Sequence, residues 1–101
     1  MPLLLAKKEV FEWVRQGKKT VDIRKGNPQK GDVAVFQSGP RSLSLKIEKK
    51  VSGKLRDLVR SDNYWLVIPS AENLEEAIAY FYKLYKNCEG AFTAYYFGEL
   101  Y

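Results

Sequence analysis

The hydrophobic and polar positions of the chain change period several times, and each change marks an element. Leu3 to Ala6 is a short apolar run that reads as a first strand. Between Lys7 and Gln16, Val10, Phe11 and Val14 fall on one helical face with Trp13 beside them. Gly17 stands where a left-handed residue would end that helix. Thr20 to Arg24 then alternates polar and apolar, the period of a half-buried strand, with Thr20, Asp22 and Arg24 on one face and Val21 and Ile23 turned to the core. The segment from Lys25 to Asp32 is dense in turn formers and reads as a loop.

Val33 to Phe36 is apolar on both faces, which predicts a central strand. After the Gly39-Pro40 turn, Leu43, Leu45 and Ile47 share one strand face and Ser44, Lys46 and Glu48 the other. A short helix is expected over Leu55 to Val59, and the compact apolar run Tyr64 to Ile68, stopped by Pro69, reads as a strand. The strongest helix signal follows. Asn73 is a good N-cap with Glu76 three positions on, and Leu74, Ala77, Ile78, Phe81, Leu84 and Tyr85 trace one apolar stripe. Ala91 to Phe97 closes the pattern as a strand. No linker or repeat breaks the chain, so residues 1–101 are expected to form one domain. Short strands with few helices predict an α+β fold, a small mixed or antiparallel barrel with helices over its openings.

Composition narrows the chemistry. The chain has no His and one Cys, Cys88, which excludes an internal disulfide, a His/Cys zinc site within one chain, and a Ser-His-Asp or Cys-His nucleophile. The single cysteine fits a reducing, cytoplasmic setting. The first apolar run is too short for a signal core or a membrane span. No metal, cofactor or membrane partner is expected.

Charge points further. The net charge is +5, but between Arg15 and Arg60 there are 13 Lys and Arg against four acids, while the remainder is acidic. A local surplus of this kind indicates a polyanion partner; a solvated, lysine-rich surface is the alternative. Aromatic residues could stack bases beside such a surface, with Tyr64, Trp65, Tyr95 and Tyr96 as candidates and Phe11, Phe36, Phe81 and Tyr85 assigned to the core.

The stretch from Gly17 to Arg24 has the pattern Gly-x-Lys-x-x-Glu-x-Arg, with Asp22 in place of the Glu, and Gly31-Asp32 and a hydrophobic strand come after it. This resembles the ASCH domain, a branch of the PUA-like superfamily. The similarity extends over nearly the whole chain, through Phe11 to Gly17, Ile68 to Ser70 leading into Leu74 to Tyr85, and Gly90 to Phe97. The resemblance implies a pseudo-β-barrel of about five to six mostly antiparallel strands with flanking helices, and a cleft lined by the motif. It also implies RNA binding, by analogy with PUA domains. One bacterial branch instead hydrolyses acetylated cytidine with a Lys and a Thr, the Thr standing where this chain has Asp22, and ribonuclease activity is known among relatives.

On this reading the nucleic-acid contacts are Lys18, Lys19, Asp22, Arg24, Lys25, Arg41 and Lys46, with Asp22 orienting Arg24 and Arg41 a mobile contact at the rim. Lys19 has the wrong strand parity and joins the cleft only if the chain is still turning after Gly17. If the protein is an enzyme on a nucleoside or on RNA, the reactive group is Lys19, Thr20 and Asp22. A carboxylate at position 22 favours binding over that hydrolysis. A regulatory module holding a nucleotide-like ligand is the third reading.

Overall fold

The structure, a computed structural model, describes residues 3–100. The chain runs β1 (Leu3–Leu5), α1 (Lys8–Arg15), β2 (Val21–Lys25), β3 (Val33–Ser38), β4 (Arg41–Gly53), α2 (Leu55–Leu58), α3 (Tyr64–Val67), α4 (Leu74–Leu84) and β5 (Phe92–Leu100). The five strands form one mixed sheet in the order β1-β3-β4-β5-β2, a half-barrel flanked by the helices. Only β1 and β3 are parallel; every other pair is antiparallel. The expected α+β architecture is therefore present, with five strands.

The two edge strands, β1 and β2, lie far apart in the strand order, yet Arg24 Nη1 of β2 donates to the Leu5 carbonyl of β1 at 3.0 Å. The sheet curls until its edges stand one side chain apart, and a side chain closes the seam where a ladder does not.

Between Phe92 and Phe97, β5 is covered on both faces and separates two cores. Phe92 and Ala94 pack with Val21 and Ile23 of β2 against α2, α3 and α4, where Leu58, Val67, Ile78 and Phe81 supply the other side. Tyr95 and Phe97 face the opposite way, into a cluster with Leu4, Phe11, Val14, Phe36 and Leu45 that α1 covers. Phe36 and Phe97 meet edge to face at 5.1 Å, a favoured aromatic geometry. The chain thus separates α1 from α2–α4 on opposite sides of the sheet, and β2 at the sheet's end lies between them.

Two sequence expectations change. The strand expected around Leu43 to Glu48 extends over Arg41–Gly53, with register shifts between Leu45 and Lys49 that let it bend along β5. The apolar run Tyr64 to Ile68 is not a strand but one helical turn, α3, with Ile68 N–H donating to the Tyr64 carbonyl. The buried Asn63 causes this. Its Oδ1 accepts from Arg60 N–H and its Nδ2 donates to the Leu58 carbonyl, reversing the chain just before the run. The turn buries the consecutive residues Val67 and Ile68 together.

Candidate nucleic-acid site

The site begins with the way α1 stops. Gly17 adopts φ +78°, Lys18 N–H donates to the Trp13 carbonyl and Gly17 N–H to the Val14 carbonyl, the two bonds of a Schellman ending. Lys19 N–H also reaches the Trp13 carbonyl at 3.1 Å. The chain is still turning at Lys19, so a residue of the wrong parity is carried to the same side as Asp22. From Val21 the strand alternates as expected, sending Val21 and Ile23 to the core.

The three motif side chains meet. Asp22 Oδ2 accepts from Arg24 Nε at 2.6 Å, and Asp22 Oδ1 stands 3.6 Å from Lys19 Nζ. Lys19 and Asp22 are each 4% exposed. Lys19 Nζ also donates to the Val67 carbonyl, which α3 presents at its C-terminal end. Burial pushes the Lys19 pKa below its ordinary 10.5, against the pull of Asp22 and with the push of Arg24. Two cations and one carboxylate leave a surplus positive charge in surroundings that screen it poorly.

This group lines a cavity of about 190 Å³ that opens between α1 and α4 over β2 and the end of β1. Trp13, Tyr80 and Tyr85 give it aromatic walls; Val10, Ile23, Ile68 and Phe81 are among its other apolar lining; Lys7 stands exposed at its edge. Burial, together with the nearby Glu9 and Asp22 carboxylates, raises the Tyr80 phenol above its ordinary 10.0, so it stays a neutral hydrogen-bonding group. Among the described residues, no group of three or more His, Cys, Asp or Glu side chains could hold a metal. Among them also, no helix is long and apolar enough to cross a membrane.

The other sequence candidates lie elsewhere. Thr20 is absent from the cavity lining; its backbone bonds Leu66 and Phe97. Lys18 is exposed in a shallow depression that shares Trp13 with the cavity. Lys25 donates to the Asn87 carbonyl. Arg41 does not line the cavity and is tied down: it donates to Glu12 Oε1 at 2.7 Å and sits over the Phe11 ring at 4.7 Å. Arg15 and Arg41 together hold the Glu12 carboxyl at about 2, so this tether persists in mild acid. Lys46 is exposed on β4, outside the cavity. Of the stacking candidates, Tyr95 is buried and its hydroxyl accepts from Gln29 N–H, Tyr96 lies under Lys49, and Tyr64 and Trp65 pack on each other. The aromatic walls come instead from Trp13, Tyr80 and Tyr85. Tyr80 sits two positions from Ile78 on α4, and only the packing of α4 against β2 reveals that it faces the motif.

No family model matches the chain, and no curated protein matches it in sequence. Solved structures do. The hypothetical protein PH0355 superposes with a TM-score of 0.79 at 16% identity, covering 100% of both chains. ASCH from Zymomonas mobilis superposes with a TM-score of 0.68 at 17% identity, covering 96% of this chain. The fold is ASCH-like. This chain spans 66% of that Zymomonas mobilis protein, and a point mutant of the same protein superposes equally well. At such identities the likeness establishes the ASCH-like fold and leaves chemistry to the residues themselves.

Proposed function

We propose that the protein is an RNA-binding module that takes one base of a single strand into the cleft beneath Trp13, Tyr80 and Tyr85. The observation that carries this reading is the Lys19–Asp22–Arg24 group, with Lys19 and Asp22 buried, on the floor of an aromatic-walled cavity. Aromatic walls accept a base π-face, and a carboxylate-held Arg offers its remaining donors in fixed directions. Lys7 at the edge, with Lys18 and Lys25 beside the motif, would contact phosphates, and Arg41 and Lys46 would act further out. The ASCH-like fold supports the reading, and a reducing, cytoplasmic setting accords with Cys88 being the only cysteine.

Titration of a fluorescent single-stranded RNA tests it. With about three phosphates engaged, affinity should fall roughly twentyfold between about 50 and 200 mM salt. Absence of binding at low salt beyond that of a neutral control protein would overturn the reading.

A second reading rests on the buried Lys19–Asp22 pair. A buried Lys with a lowered pKa can serve as a base, so Lys19 and Asp22 could act on an acylated nucleoside or on RNA. Thr20 lies outside the cavity lining and would not take part. Incubation with acetylated cytidine and with RNA decides: turnover abolished by Lys19→Ala supports hydrolysis, and turnover unaffected by it marks a contaminant.

A further inference from the structure

The cleft has a size, and its floor has a hydrogen-bonding order. A dry cavity of about 150 Å³ is known to hold a benzene ring. At about 190 Å³, this cavity has room for a six-membered ring.

The floor places the Asp22 carboxylate between two cationic donors, Lys19 and Arg24. Lys19 carries three N–H groups, of which one goes to the Val67 carbonyl. Asp22 Oδ2 is taken by Arg24 Nε, while Oδ1, 3.6 Å from Lys19 Nζ, has room to accept another donor. Arg24 uses Nε on Asp22 and Nη1 on the Leu5 carbonyl, and its five N–H groups leave others to give. An acceptor flanked by two cationic donors is complementary to a ring edge reading acceptor, donor, acceptor. Among the pyrimidines that is the O4, N3–H, O2 edge of uracil. Cytosine turns its N3 lone pair towards Asp22 and its amine towards Lys19, so both meet a like group.

Resting on the RNA-binding reading above, we infer that the cleft selects uridine: Asp22 Oδ1 accepts from N3–H, and Lys19 and Arg24 donate to the two carbonyl oxygens. The desolvated floor sharpens the choice, because a base lacking the right donor leaves a buried carboxylate oxygen facing a lone pair.

The test compares short oligo(U), oligo(C) and oligo(A) at one low salt concentration, together with oligo(U) carrying N3-methyluridine. Oligo(U) is expected to bind roughly tenfold or more tightly than oligo(C). Methylation at N3 should abolish that advantage. Asp22→Asn, with its amide oxygen taken by Arg24 and its NH₂ towards the base, should erase the preference for oligo(U) over oligo(C), with circular dichroism confirming that the variant folds. If Asp22→Asn does not fold, the methylated RNA decides alone. Equal binding of all three homopolymers, tightest binding of oligo(A), or indifference to N3-methylation overturns the uridine inference and leaves RNA binding standing. Binding of none of them removes both.

Discussion

Lys19 and Asp22 form a buried pair, 3.6 Å apart between Nζ and Oδ1, three residues apart in sequence and joined across the end of a helix and the start of a strand. The pair exists because Gly17 turns the chain, and Arg24 completes it from the next residue on the same strand face. Desolvating two charges costs as much as their attraction returns, so the pair argues weakly for stability on its own. It argues strongly that neither partner can be removed alone.

Asp22→Ala leaves Lys19 buried without its carboxylate and frees Arg24 Nε. The expected loss is about 3 kcal/mol, within the range for breaking a buried pair. Urea unfolding followed by circular dichroism measures it. A loss near zero would mean that water reaches Lys19 freely.

Lys19 also sets a pH dependence. Its pKa is lowered on folding, chiefly by burial. Between that lowered value and 10.5 the unfolded chain binds more protons than the folded one, so stability rises with pH across that interval. Below it, the folded protein bears the full cost of the buried ammonium. The stability difference between the wild type and Lys19→Met should therefore move in favour of the wild type as pH is raised from neutral towards 10.5. A difference that stays flat or moves the other way would contradict the burial argument.

Gly17→Ala isolates the helix ending. A Cβ at Gly17 meets nothing within 4 Å, so the penalty is the left-handed backbone itself. About 1 kcal/mol is expected from φ +78°. The same substitution should weaken RNA binding if it disturbs the turn that delivers Lys19, which a parallel titration would show.

Much of this was legible in the sequence, and the failures share a cause. The alternation of Val21 and Ile23 placed the motif on a strand, the spacing of Leu74, Ala77, Ile78 and Phe81 placed α4, and Asn73 caps it as expected, accepting from Glu76 N–H at 2.8 Å. Local pattern suffices where the fixing interactions are local. The turn of α3 was missed because it is fixed by the side chain of Asn63, not by the apolar run itself. The aromatic walls were missed because Trp13 and Tyr80 come from different helices, and their meeting over Asp22 is decided by the curl of the sheet. Arg41 reads as a free cation in sequence, yet Glu12, 29 residues away, holds it.

Mapping of backbone amide shifts by nuclear magnetic resonance, as single-stranded RNA is added at low salt, tests the cleft most directly. The perturbed residues should be Trp13, Lys19 to Arg24, Tyr80 and Tyr85, with Arg24→Ala suppressing the changes. Perturbation centred instead on Lys46, Lys49 and Arg56, or no perturbation at all, would contradict the assignment of the cleft as the RNA site.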